Sequence, residues 1–309
     1  MTRSLIHHAR AVAIALCGLV LVATAARAEE LTVGVYLPLA PFQTNAERSA
    51  WGDRFAADLT AAANGAFTVK AQLFARREDA LAFSGAVDVL VADGLFALER
   101  GLRPIAHVTA SPAIGLYAAD ATRVGELQGK AVAAAQAEPG DLAFYSNTVL
   151  GGELVAADFF AEVRALKDAS AALAAVKSKS VAAAFAPVGH PAAAGLRLLR
   201  QGGAYPIAVV AIARDAKVAP VRDALTTALG QCSAGALGTF GSGSGGAFER
   251  AAGARGTPRV KTAPAFLTGG TDAKPMAPPI RLKVKGRMPP PALSGVPLAR
   301  PDIIEPQDP

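Results

Sequence analysis

The feature that most constrains this chain is a series of short apolar runs, each of strand length and each closed by a turn signal or a helix signal. Leu31-Thr-Val-Gly-Val-Tyr36 ends at Pro38, and Val87-Asp-Val-Leu-Val-Ala92 ends at Asp93-Gly94. Residues 105–108 and 207–213 are further apolar runs of strand length. Runs this apolar predict strands buried on both faces, the signature of a sheet covered by helices. Between them the period changes. Trp51, Phe55, Leu59 and Ala62 share one helical face and stop at Asn64-Gly65. A short helix is predicted over 78–85 and another from Gly94 to about Arg100, with strands over 67–74 and 104–109. The order is β-α-β-α-β-α-β, a mostly parallel sheet with helices on both faces.

A second, smaller α/β set follows. Strands are predicted over 131–135 and 181–186, the latter ending at Pro187, and helices over 141–150 and 169–177. Residues 159–166 read as a helix or a strand, and 206–213 as extended. A last helix puts Val218, Val221, Leu225, Leu229 and Cys232 on one face, which makes Cys232 a buried structural thiol rather than a reactive one. One interleaved arrangement satisfies all these runs. The chain leaves a first lobe near Ile114 and returns near Ile207, giving lobes of 29–114 plus 207–254 and of 118–206. The Gly/Ser stretch 238–246 reads as flexible, or as a loop near the end of the fold.

Both ends have their own character. Arg3 and Arg10 precede the apolar run 11–22, and Ala26-Arg27-Ala28 supplies small residues at a cut site, the pattern of a secretory signal peptide cleaved after Ala28. Cys17 sits inside the apolar run behind Leu16, the wrong context for lipidation. The mature chain then starts at Glu29 in an exported, periplasmic setting. Residues 255–309 hold 12 of the 21 prolines and nine Lys/Arg against four Asp/Glu. They read as a disordered, partly polyproline-II tail whose charge suits envelope polymer or anionic lipid.

Composition then excludes function classes. The chain carries +6 overall, but residues 29–254 sum to −2, so a basic nucleic-acid-binding domain is unsupported. Two cysteines and four histidines leave no disulfide framework and little for a metal site, and no cofactor is expected. Gly241-Ser-Gly-Ser-Gly245 has the wrong spacing for a nucleophile elbow, and no phosphate-cradling Gly-rich loop joins a strand to a helix. With no catalytic constellation, an enzyme is not expected.

Several stretches carry a resemblance. "LTVGVYLP" directly after a signal peptide, then "GAVDVLVADG", then "GLYAADATRVGELQGKAVAAA" resemble the class II periplasmic solute-binding proteins of ABC transporters. Leu127-Gln-Gly-Lys130 before a strand is similar to the opening of their second lobe. "DASAALAAVKSKSVAAAFAP" and "VAPVRDALTTAL" resemble the helix–turn–strand and the closing helix of the phosphate/phosphonate-binding subgroup. The resemblance covers roughly residues 31–250. It implies a bilobed periplasmic-binding-protein fold, two α/β lobes joined by two crossing strands. It further implies a small-molecule ligand in the interlobe cleft, an ABC permease as partner, and closure by a hinge. A second reading keeps the fold but makes it a degenerate sensor or envelope interaction protein.

The expected cleft departs from the subgroup. Its second-lobe helix start reads Glu138-Pro139-Gly140-Asp141-Leu142, flanked by carboxylates where hydroxyls are usual. Ala182 and Ala169 stand at polar positions of the pattern, and Phe96 and Leu98 where a tyrosine is usual. Ligands in open α/β sheets sit at the carboxyl ends of strands. That rule gathers Phe42, Asp93, Gly94, Thr109, Ser111, Gly140, Asp141 and His190 as candidate ligand-binding residues. Asp93-Gly94 reads equally as a turn cap and Tyr36 and Phe42 equally as core, whereas His190 reads first as an exposed loop histidine and only second as a ligand contact. With Thr109 and Ser111 as the hydroxyl donors and Asp93 and Asp141 as fixed charges, a dianion should bind weakly. A neutral, zwitterionic or cationic ligand is expected.

Overall fold

The computed structural model describes residues 28–136, 138–151 and 159–255. Apart from Ala28 and Arg255, the expected signal peptide 1–28 and the expected tail 255–309 lie outside the described residues.

The chain opens with strand β1 (Glu29–Tyr36), helix α1 (Asn45–Ala62), β2 (Phe67–Leu73), α2 (Arg77–Phe83), β3 (Val89–Ala92), α3 (Gly94–Glu99) and β4 (Pro104–Val108). β1 runs parallel to both β2 and β3. The Thr44 side chain caps α1 by accepting from the Glu47 N–H, and Trp51, Phe55 and Leu59 bury the apolar face. Trp51 stacks on Phe55 with centroids 5.3 Å apart, and its Nε1–H donates to the Ala234 carbonyl at 2.8 Å. Burying such a side chain contributes roughly 1.5–3 kcal/mol, and three of them share this face.

The middle of the chain builds a separate sheet: β5 (Ala113–Ala118), β6 (Ala131–Ala135), α4 (Pro139–Val149), β7 (Glu162–Leu166), α5 (Ala169–Lys177), β8 (Ala183–Pro187) and β9 (Arg197–Ala204). Its order is β7-β6-β8-β5-β9, parallel through β6 and antiparallel around β5. Of the two readings for 159–166, the strand is the one formed. Strand β9 has no counterpart among the expected elements. Its arginines and paired glycines leave it mostly exposed at a sheet edge, so it lacks the apolar run that marks a buried strand.

The chain then returns to the first sheet through β10 (Val209–Ile212), a helical turn α6 (Asp215–Val218), α7 (Arg222–Gln231), β11 (Phe240–Ser242) and α8 (Gly245–Ala254). The first sheet has the order β11-β4-β10-β3-β1-β2, with β10 antiparallel to both neighbours. Two expectations are corrected here. The helix expected through Val218 and Leu229 is broken by Pro220 into α6, a 3-10 turn and α7. The stretch 238–246 contains ordered strand β11, paired with β4, and the start of α8; Gly241 and Gly245 let the backbone pack on the His107 ring, where a Cβ would come within 3 Å.

Among the described residues, two segments join the sheets. Residues 109–112 lead from β4 to β5, and residues 205–208 from β9 to β10. They touch where the Tyr205 N–H donates to the Pro112 carbonyl at 2.7 Å. This is a bilobed periplasmic-binding fold with a paired two-strand crossing.

Candidate ligand-binding cleft

In both lobes the parallel strands end toward the other lobe, so their loops face one another. From the first lobe come the ends of β1, β2 and β3; from the second come the ends of β6, β7 and β8. The walls already touch. The Ala169 N–H donates to the Pro38 carbonyl at 2.9 Å and Ser170 Oγ to the Phe42 carbonyl at 3.0 Å. Arg48 of α1 reaches Asp168, the N-cap of α5, at 3.4 Å, with both side chains buried. Arg77 bridges Glu99 in its own lobe and Glu138 of the other, the latter at 2.6 Å.

Between the walls lies a polar cavity of about 10 Å³, room for a single water. Tyr36, Arg77, Asp93, Gln136, Asp141 and Tyr205 are among its polar lining residues. The Tyr36 hydroxyl donates to Gln136 Oε1 across the cleft, and Gln136 takes a left-handed backbone (φ 46°) at the turn after β6. The Tyr205 hydroxyl lies 2.6 Å from both oxygens of Asp93, whose Oδ1 also accepts from the Leu95 N–H at 2.9 Å and caps α3. Burial pushes the Asp93 carboxyl up to about 7 against these hydrogen bonds, with the Asp141 charge adding to the rise. Asp141 is also raised, first by burial, although the Glu138 N–H and Arg255 Nε each lie 3.1 Å from its oxygens. The Tyr145 hydroxyl is buried at the cavity with no hydrogen-bond partner among the described residues.

Leu39 lines this cavity and also a second, larger one of about 650 Å³. Pro41 and Leu237 of the first lobe, Ser111 of the crossing, and Pro187 and His190 of the second lobe are among its walls. Among the described residues no Asp, Glu, Lys or Arg lines it.

The predicted residues therefore divide. Asp93 and Asp141 meet at the polar cavity, with Gly94 and Gly140 beside them for packing reasons. A Cβ on Gly94 would come within 2.6 Å of the Pro206 carbonyl, and one on Gly140 within 3.0 Å of the Arg255 guanidinium. Ser111 and His190 line the apolar cavity. Phe42 packs on Trp51 in the core, and Thr109 is exposed and paired with Thr239 at 3.0 Å; neither lines a cavity described above. His190 is 4 % exposed, which corrects the exposed-loop reading.

The hydroxyl count is corrected too. Tyr36, Tyr145 and Tyr205 all line the polar cavity, and Tyr36 packs against Phe96 with centroids 4.7 Å apart. The charge count changes as well, because Arg77 and Arg255 stand beside the carboxylates. Arg77 was legible in principle, since it follows β2 at the same kind of strand end that nominated the others. Tyr145 carried no such signal, because it lies inside a helix whose apolar stripe it continues.

No family model and no curated protein matches this chain. Solved structures do share its fold. It is similar to PhnD1 from Prochlorococcus marinus in complex with methylphosphonate, at 11% identity and a TM-score of 0.56, over 72% of this chain and 95% of that one. A Xanthomonas citri protein bound to ATP matches at 11% identity and a TM-score of 0.55, over 76% and 100%. A binding-protein component of an ABC phosphonate transporter from Pseudomonas aeruginosa matches at 12% identity and a TM-score of 0.52, over 70% and 82%.

Proposed function

We propose that this chain is the exported solute-binding component of an ABC-type importer, holding a small molecule between its two lobes and handing it to a permease. The observation that carries the reading is the pairing of a two-strand crossing with strand-end loops of both lobes converging on one cleft. Such a joint lets the lobes rotate as bodies, and a ligand touching both shifts the population toward closure. In this reading residues 29–114 with 207–254 form one body and 118–206 the other. The chain acts by binding rather than by catalysis.

The fold it shares with PhnD1 bound to methylphosphonate makes phosphonates the first ligands to try. The polar cavity disfavours anions, because the cations at it and beside it are matched internally. Arg77 faces Glu99 and Glu138, and Arg255 faces Asp141. A dianion would have to displace these carboxylates. A neutral or zwitterionic ligand fits the charge balance better.

The test uses the mature chain from Glu29. Thermal-shift screening against phosphonates, ATP, amino acids and sugars, followed by calorimetry, should find one class that raises the melting temperature. Small-angle scattering should show compaction or a reduced spread of sizes with that ligand. A chain that responds to none of them, nor to uncharged apolar or cationic solutes, overturns the reading. Export is tested separately: N-terminal sequencing of the secreted product should begin at Glu29, and an intact Met1 in the membrane fraction would refute cleavage.

A further inference from the structure

We propose that the end of the described chain is a strap across the two lobes: α8, seated in the first lobe, grips α4 of the second, and the cleft opens fully only when that grip is released. The covalent crossings are the segments 109–112 and 205–208. The strap adds a non-covalent link between the same two bodies. Phe248 fastens α8 to the first lobe, buried with Ala97 of α3 and Val209 of β10, and Ala251 is buried beside it. The far end of α8 meets the second lobe. There the Ala254 carbonyl accepts from Asn147 Nδ2 at 2.7 Å, and Arg255 Nε donates to Asp141 Oδ1 at 3.1 Å. Asp141 and Asn147 both belong to α4.

The local chemistry favours a grip over a passing surface contact. The ion pair is sheltered, with side-chain exposures of 17 % and 9 %, so water screens it less than it screens an exposed pair. Gly140 leaves the space that the guanidinium fills, since a Cβ there would lie 3.0 Å from it. The two anchors on α4 are about 9 Å apart along the helix axis, so they hold its orientation as well as its distance. Rotation of the second lobe about the crossing moves α4 against α8 and stretches these bonds. Asp141 also lines the polar cavity, so the strap and any occupant of the cleft share one carboxylate. Burial raises that carboxyl, and the Glu138 N–H and the Arg255 charge oppose the rise. The strap needs no ligand, so it can fail while the solute-binding reading stands.

The chain carries its own reporter of opening. The Ala169 N–H of the second lobe donates to the Pro38 carbonyl of the first at 2.9 Å, so parting of the lobes exposes it to exchange with solvent. Hydrogen exchange is followed on the full mature chain without ligand. Arg255→Ala should speed exchange at Ala169 roughly three- to thirtyfold, the loss of one charge-assisted hydrogen bond partly shared with water. Val91 in β3 and Ala133 in β6, inside the two sheets, should keep their rates. Arg250→Ala removes an exposed arginine from the same helix and should leave Ala169 unchanged. With Asp141→Asn already in place, Arg255→Ala should add less than about twofold. An unchanged Ala169 rate in Arg255→Ala, an equal rise with Arg250→Ala, or a full further rise on top of Asp141→Asn each overturns the strap. A rise shared by Val91 and Ala133 also overturns it, because the variant then loosens the whole fold rather than the joint.

Discussion

Asp93 offers the sharpest test of how the crossing and the first lobe are held together. Its carboxyl is 3 % exposed, beside the crossing residue Tyr205, and titrates near 7 in the fold against an ordinary value of 3.8. Between those two values the folded chain holds a proton that the unfolded chain has released. Stability must therefore fall as pH rises through this window and level off above it. Each pH unit costs about 1.4 kcal/mol, so a shift of about three units removes on the order of 4 kcal/mol between pH 4 and pH 7. Asp93→Asn keeps the shape and an oxygen for the Leu95 N–H, and does not titrate. Urea unfolding of both proteins at pH 4.5, 5.5, 6.5 and 7.5 isolates the effect, since the contributions of Asp88, Asp141 and the other shifted groups largely cancel in the difference. The variant should gain on the unmodified protein by a few kcal/mol across the series. Tyr205→Phe removes a hydrogen bond that holds the Asp93 pKa down, so its loss of stability should continue above pH 7. A pH-independent difference between the unmodified chain and Asp93→Asn refutes the reasoning. It would mean that the Leu95 and Tyr205 hydrogen bonds outweigh burial and keep the carboxylate charged.

Other consequences are open to the same kind of measurement. Gly94→Ala places a methyl group within 2.6 Å of the Pro206 carbonyl, and because backbone cannot swing aside as a side chain can, it should lose at least about 2 kcal/mol in urea unfolding. Arg48→Met leaves Asp168 without its buried cation, and since the pair is long at 3.4 Å the expected loss is about 1–3 kcal/mol; a double-mutant cycle with Asp168→Asn should show coupling between lobes, and additive effects would deny the latch. Cys232 is buried and its thiol is pushed up to about 11, first by burial, so a thiol reagent at pH 8 should label it at the rate of unfolding rather than at once.

Much of the scaffold is legible along the chain. Where an element depends on its own neighbours, periodicity finds it. The buried runs at 31–36 and 89–92, the α1 face through Trp51 and Leu59, and the small-residue helix at 169–177 all declare themselves this way. Strand β9 and strand β11 do not, because one is a charged edge and the other three residues long, held in place by β4. The break in the last helix was legible at Pro220 and outweighed by an apolar stripe that runs through it.

The cleft divides along the same line. Strand ends nominate Asp93, Asp141, Ser111 and His190 because a loop's position follows from where its strand stops, and that is a local property. What the side chains do there is not local. Tyr36 meets Gln136 one hundred residues away, and Tyr205 meets Asp93 across 112. Whether a carboxylate is a charge facing a ligand or a protonated group under a tyrosine depends on how much water and which dipoles surround it, and those arrive from distant segments. The order of most strands and helices, and where the strands end, were therefore decided by the sequence read locally. The pairing of charges, the burial of His190 and the separation of a small polar cavity from a larger apolar one were decided only when two lobes, built from interleaved segments, came to face each other.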